Sequence, residues 1–127
     1  MNYYGEIKNK LIENEVYERV KDYYKERHRI ITYYEIGRLL NESGGKYGDG
    51  IIKEYSKKLT NELGKGYTFT ALTRMKKFYL VIKKVATLSQ HLTYGHYVEL
   101  LPYDDTNKIK YYIKIIEEQN LSIRQLR

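Results

Sequence analysis

GDGIIKEYSKKLTNELGKGYTFTALTRMKKFYLVIKK, residues 48–84, is the stretch that decides the fold. Its apolar residues recur at helical steps on both sides of a glycine-bearing turn. Ile51, Ile52, Tyr55, Leu59 and Leu63 follow three- and four-residue spacing, which is one face of a helix. Asp49 is a start signal before that helix and Gly64 a stop signal after it. Leu72, Met75, Phe78, Tyr79 and Ile82 make the inner face of a second helix, with Thr68 as its N-cap. Gly64, Lys65, Gly66 and Tyr67 form the turn between them. Two helices joined this way are the sequence form of a helix-turn-helix, whose second helix enters a DNA major groove.

The outer face of the second helix suits that task. Thr70, Ala71, Thr73, Arg74 and Lys77 lie away from the apolar side, and these types fit base edges, thymine methyls and phosphates. Net charge marks the same place. Residues 50–90 hold nine basic residues (Lys53, Lys57, Lys58, Lys65, Arg74, Lys76, Lys77, Lys83 and Lys84) and two acids (Glu54 and Glu62), a balance of +7. The whole chain is also +7, so the flanks cancel. A basic excess confined to one motif is the electrostatic footprint of nucleic-acid binding. Solvated lysine faces on ordinary helix pairs are the plain alternative.

The 127 residues suffice for one domain that buries a core without staples. Three parts are expected within it: N-terminal helices over 1–41, the helix-turn-helix over 48–84 and C-terminal helices over 85–127. Cysteine is absent, which excludes disulfides, thiol chemistry and cysteine metal sites, and fits a reducing cytoplasm. No apolar run approaches the roughly 20 residues of a membrane helix, and the N-terminus lacks an apolar signal core. Sixteen tyrosines stand against two phenylalanines and no tryptophan. Tyrosine therefore serves as the bulky core residue, with its hydroxyl expected to reach the surface. A genome poor in G and C explains this bias better than an aromatic nucleic-acid platform does.

In chain order, the pattern predicts a short helix over 3–13 with Tyr4, Ile7, Leu11 and Ile12 inward, followed by Asn14 as a cap. A long helix is expected from Glu15 to about Asn41, on Val16, Val20, Tyr23, Ile30, Ile31, Tyr34 and Leu39. Its length allows it to span the domain or to pair with a second copy. Glu35 and Arg38 are expected to pair along that helix. ESGGKYGDG, residues 42–50, reads as a flexible turn. Beyond the basic pair, Val85 to Gln90 reads as a short helical turn. Thr93 caps a helix with Tyr97, Leu100 and Leu101, which Pro102 ends. Asp104, Asp105 and Thr106 start another, with Ile109, Tyr112, Ile113 and Ile116 inward and Asn120 at its end. Ser122 caps a last turn that stops abruptly, as in a piece of a longer protein. The fold class is all-α: a multi-helix domain with a helix-turn-helix and a long N-terminal helix.

The chain resembles the N-terminal domain of YhcG-type prokaryotic and phage proteins. The matching stretches are YYEIGRLL at 33–40, YGDGIIKEYSKKLTNELGKGYTFTALTRMKKFY at 47–79, LSQHLTYGHYVELL at 88–101 and YYIKIIEEQNLSIRQLR at 111–127. Tyr34, Tyr94 and Leu121 stand where that family favours tryptophan, Ala71 where it favours asparagine, and Gln125 where it favours glutamate. Ala71 removes an amide that could read adenine on the second helix. The resemblance implies a helix-turn-helix-like DNA-binding module preceding a PD-(D/E)XK nuclease domain, which would begin after Arg127. The second half is also similar to the DNA-binding domain of ParB, through TYGHYVELL and LSIRQLR.

No catalytic constellation is legible, so this chain is not expected to be an enzyme. A nuclease of that type needs carboxylates and a lysine on adjacent strands around Mg²⁺, and no strand pair is readable. Asp104 and Asp105 read as helix caps. His91 and His96 are five apart, off one helix face, and His96 is expected to cap or pack at its helix start. Residues 64–66, GKG, are too short for a phosphate-binding loop. Neither cofactor nor metal is implied. The expected partner is double-stranded DNA. Lys53, Lys57, Lys58, Lys65, Lys83 and Lys84 would meet phosphates, and Thr70, Thr73, Arg74 and Lys77 would face the groove. Thr68 would place helix amides near a phosphate. The alternative is a protein-interaction or oligomerisation module, with a homodimer through the long helix.

Overall fold

The computed structural model describes residues 2–19, 23–48, 50–64, 66–86 and 88–126. Among the described residues there are seven helices and no strand. They are α1 (Tyr3–Glu18), α2 (Tyr23–Tyr47), α3 (Gly50–Leu63), α4 (Phe69–Val85), α5 (Tyr94–Leu100), α6 (Thr106–Gln119) and α7 (Ile123–Leu126). The chain is all-α, as its periodicity predicts. None of these helices is long and apolar enough to cross a membrane.

Two apolar clusters make the core. One gathers Ile7 and Leu11 of α1, Ile36, Leu39 and Leu40 of α2, Ile52, Tyr55 and Leu59 of α3, and Leu72 and Met75 of α4. The other gathers Ile30 of α2, Phe78, Ile82 and Val85 of α4, and residues of α5 and α6. Only α2 and α4 contribute to both, and they pack on each other more extensively than any other pair of helices. Where they cross, Gly37 lies against Met75. A Cβ on Gly37 would stand 2.2 Å from the Met75 carbonyl oxygen and 2.7 Å from the Tyr79 Cβ. Only glycine lets the two main chains approach so closely.

The N-terminal helices divide differently from the sequence expectation. Asn14 does not cap; it sits buried inside α1. Its Oδ1 accepts from the His28 ring nitrogen at 2.9 Å, and its amide donates to Glu18 at 3.3 Å. Partners on α2 and one turn ahead satisfy the side chain, so nothing interrupts α1 at that point. α2 likewise runs through Ser43, Gly44 and Gly45. The buried Ser43 hydroxyl donates back to Leu40 O at 3.1 Å, and the stop comes at Gly48 with φ of +86°. The segment 42–50 is therefore mostly helix and not a turn. Val20, expected in the long helix, lies outside the described residues, as does Asp49.

Three residues expected inward point out: Ile12 is 40% exposed, Val16 58% and Ile31 51%. The buried stripe of α1 is Ile7, Leu11 and Asn14, which leaves Ile12 and Val16 on the opposite side. Glu35 and Arg38 do not pair with each other. Glu35 takes Lys10 of α1, and Arg38 takes Glu42 one turn along.

The capping signals of the second half act as expected. Asp105 caps α6, accepting from the Asn107 amide at 2.9 Å. Asn120 ends it in the left-handed region at φ of 52°. Ser122 and Gln125 exchange bonds in a reciprocal cap on α7. Thr93 and His96 do the same on α5. The His96 amide donates to the Thr93 hydroxyl, and Nδ1 of His96 accepts from the Thr93 amide at 2.9 Å. His96 Nε2 then donates to Leu121 O at 2.8 Å, so both ring nitrogens are used and the ring is the neutral Nε2–H form. Residues 88–92 are irregular and not the helical turn expected there. Ala86 turns left-handed at φ of 57° and closes α4. Arg27 of α2 then reaches across to donate to Ser89 O and Leu92 O. Tyr97 is fully buried, and its hydroxyl accepts from the Ser89 amide at 2.9 Å. That hydroxyl serves the loop and never reaches the surface. Burial pushes its pKa up to about 12.

Candidate nucleic-acid interface

The turn between α3 and α4 is fixed from both sides. Gly64 and Gly66 carry φ of +99° and +110°, where other residues would be strained. The Ser56 hydroxyl of α3 donates to Tyr67 O at 2.8 Å. The Tyr67 hydroxyl donates to the Glu15 carboxylate of α1. Burial, and then that carboxylate, raise the Tyr67 pKa, so the phenol keeps its proton. Thr68 follows in extended conformation and accepts from the Ala71 amide at 3.1 Å, capping α4 as its sequence predicts. No acidic residue occupies the first turn of α4.

Beyond the cap, α4 buries Leu72, Met75, Phe78, Tyr79, Ile82 and Val85. At about 100° per residue, Thr70, Arg74, Lys77, Val81 and Lys84 fall on one strip along its outer side. Thr70, Arg74, Lys77 and Lys84 are exposed. The three cations of the strip make no ion pair with any described residue. Thr73 departs from the expectation. It is half-buried, and its hydroxyl oxygen is closed off from solvent with no hydrogen-bond partner among the described residues. It cannot present that group to a base. Ala71 is half-buried too, and its amide is taken by Thr68.

The lysines of α3 divide. Lys53 and Lys57 are exposed on the flank of α3 that also carries Ser56, with Lys57 next to that residue and Lys53 one turn nearer the start of the helix. Lys58 lies on the other flank. It sits 3.5 Å from Glu54, and its ammonium lies 5.4 Å from the centre of the Tyr4 ring. Glu62, on that same flank, takes Lys8 at 2.5 Å and the Tyr4 hydroxyl at 2.7 Å. Those bonds hold Glu62 below the usual carboxylate range, while burial and Glu62 push Tyr4 up to about 12. Lys58 thus belongs to the seam with α1 and not to the basic face. Lys83 lies 6.0 Å from the Tyr79 ring centre, at the far end of α4. Lys65 lies outside the described residues. The structure therefore puts Thr70, Arg74 and Lys77 on one strip of α4 that runs on to Lys84, sets Lys53 and Lys57 on the Ser56 flank of α3, and places Lys58 and Lys83 on other faces.

The remaining histidines are accounted for by packing. His28 stacks on Tyr17 with ring centres 3.7 Å apart, and His91 is exposed. Sequence reasoning placed Tyr67 in the turn but missed its bond to Glu15, and it missed the roles of Arg27 and Ser56; none of these contacts leaves a local pattern.

The chain matches the DUF1016 N-terminal domain over residues 9–127. It belongs to that family. The resemblance to YhcG-type N-terminal domains agrees with this assignment. No curated protein and no solved structure matches it. In this DUF1016 N-terminal domain the stretches that carry the resemblance have structural duties. YYEIG at 33–37 brings Gly37 to the α2–α4 crossing, and GKGYT at 64–68 holds the turn and the cap. TYGH at 93–96 forms the reciprocal cap of α5. Tyr34 and Tyr94, at family tryptophan positions, both pack against the second apolar cluster.

Proposed function

We propose that this chain is a DNA-binding module of helix-turn-helix type, the targeting part of a prokaryotic nuclease-type or mobile-element protein. The observation that carries the proposal is the placement of the positive excess. Arg74 and Lys77 share an exposed strip at the N-terminal half of α4, with Thr70 between them and the cap. In recognition helices that half meets the bases. Lys53 and Lys57, on the Ser56 flank of α3, serve as phosphate contacts, and beside the amide that Thr68 caps, the Phe69 and Thr70 amides at the start of α4 face a phosphate. Ala71 offers a methyl and no amide, so adenine reading at that position is not expected.

The test is an anisotropy titration against random duplex DNA at two salt concentrations. Wild type is expected to bind more weakly as salt rises. Replacing Lys57 and Arg74 with alanine should lower affinity and flatten the salt slope, by roughly 0.9 log units per log of salt for each phosphate no longer neutralised. An unchanged slope and affinity would remove both residues from the interface.

A second reading, a protein-interaction module, draws on Val16 and Ile31, which are more than half exposed. Sedimentation separates the two. A monomer that binds duplex DNA supports the first reading, and a stable oligomer without DNA affinity supports the second.

A further inference from the structure

The strip on α4 does not end with the groove-facing residues. Past Lys77 it continues through Val81 to Lys84, and there it meets α6 across a cleft of about 220 Å³. Leu80, Val81, Val85, Leu101 and Ile109 give that cleft an apolar floor. Lys77 and Lys84 stand on its α4 rim, one above and one below Val81. Tyr103, Asp104 and Thr106 close the other side, at the entry to α6. Tyr103 is held flat as a wall. It stacks on Tyr112 at 5.4 Å, and the Lys108 ammonium lies 4.5 Å from its ring centre.

We propose that this cleft is a docking site for an acidic linear segment of a partner protein, with an apolar side chain as its anchor. Three observations select that occupant. The volume lies below the roughly 300–1,000 Å³ of small-molecule sites, and suits an anchoring side chain better than a cofactor. The floor is apolar, which a sugar-phosphate backbone has no use for. The α4 rim bears two exposed ammonium groups without ion-pair partners among the described residues, against the single Asp104 carboxylate on the opposite side, so the complementary ligand lays its carboxylates along the α4 rim. Seven helical residues separate those lysines by about 10.5 Å along the axis. An extended chain covers that distance in about three residues at ~3.4 Å each. The fitting segment is an acid, two residues that include the anchor, and a second acid. A further copy of this chain is a poorer candidate, since each copy carries +7. The site stands apart from the DNA reading, sharing only Lys77 at the boundary between the two halves of α4.

The test is an amide ¹H–¹⁵N correlation titration of the full chain with the capped peptide Ser-Asp-Leu-Phe-Glu-Ser. Shifts are expected to cluster at residues 77–85 and 101–109. A control peptide with alanine at both apolar positions should bind at least tenfold more weakly. L80N, which removes floor, and K84E, which reverses one rim charge on an exposed site, should each weaken the first peptide tenfold or more. L80N should leave duplex DNA affinity within twofold. If the DNA titration fails while this one succeeds, only the DNA reading falls. Absence of shifts at millimolar peptide overturns the proposal. So does equal binding of the alanine control with shifts spread over the α3 lysines, which is charge alone. A short DNA duplex that produces the 77–85 and 101–109 shifts where the peptide does not would also overturn it, and assign the cleft to nucleic acid.

Discussion

The two apolar clusters share α2 and α4 yet are fastened by different chemistry. Around the first, the helices are tied mainly side chain to side chain, with the Ser56 hydroxyl on Tyr67 O as the exception. Lys8 and Tyr4 of α1 meet Glu62 of α3, Lys10 meets Glu35 of α2, and Tyr67 meets Glu15. Around the second, side chains hold main chain. Arg27 takes two carbonyls of the 88–92 segment, Tyr97 takes the Ser89 amide, and His96 takes Leu121 O. The aromatic packing differs as well. Phe78 lies edge-on to Tyr94 at 5.2 Å and tilted on Tyr97 at 5.0 Å, so the second cluster has an aromatic centre. Regular helices satisfy their own backbone, so charged side chains on their surfaces are left to pair with each other. An irregular segment such as 88–92 has amides and carbonyls without helical partners, and long side chains must reach them. The half that presents the basic face is the regular one.

The largest effect should come from the residue that joins both halves. Gly37→Ala puts a methyl group against the Met75 carbonyl, and main chain cannot move aside as a flexible side chain can. A destabilisation of about 3 kcal/mol is expected, with a fall in Tm on the order of 10 °C by calorimetry. If the halves are as interlocked as the shared helices imply, the transition stays single; two transitions would show that they unfold separately.

Arg27→Ala should act on the second half alone. Two carbonyls are left without their donor, at a cost of about 1–3 kcal/mol. Hydrogen exchange should quicken at residues 88–93 and at the start of α5, with α1 and α3 unchanged. Faster exchange throughout α1 would erase the distinction drawn between the two regions.

The smallest effect belongs to the α1–α2 seam and depends on pH. Hydrogen bonds from Arg29 hold the Glu18 carboxyl below its ordinary range, against the opposing pull of burial. The folded pKa is thus lower than the unfolded one. The stabilisation is complete above the ordinary glutamate value of about 4.3 and fades as pH falls through the folded value. Arg29→Gln should cost about 1 kcal/mol at neutral pH, and the gap from wild type should close on acidification below about pH 4. A gap that stays constant down to about pH 2 would mean that the Arg29 contribution is packing and not charge.

Much of this fold was legible because its punctuation is local. Thr68, Thr93, Asp105, Asn120 and Ser122 act as they read, since a cap needs only partners two or three residues away. The inward faces of α3, α4 and α6 follow their periods for the same reason. Asn14 misled because its side chain found a partner on another helix, and Ser43 with its two glycines misled because Ser43 is buried with its hydroxyl satisfied, so tertiary packing carries the helix past them. The irregular 88–92 segment depends on Arg27, more than sixty residues away in sequence. On the candidate interface, charge and spacing singled out Arg74, Lys77, Lys53 and Lys57, and the fold leaves all four exposed. Neither could show that the Thr73 hydroxyl is closed off, or that Lys58 turns to Tyr4 and Glu54. Those outcomes depend on neighbours that periodicity does not report.

The crossing at Gly37 works like a dowel, which locates two parts without gripping either. Its position is set by bare main chain, with no rotamer to choose and no side-chain volume to match. The surroundings can therefore drift widely while the alignment of α2 and α4 is kept. Tyr34 lies within one turn of the crossing, with its ring 5.1 Å from that of Tyr79. A side chain at position 37 has to displace main chain, whereas a change at Tyr34 meets a side chain, which can shift.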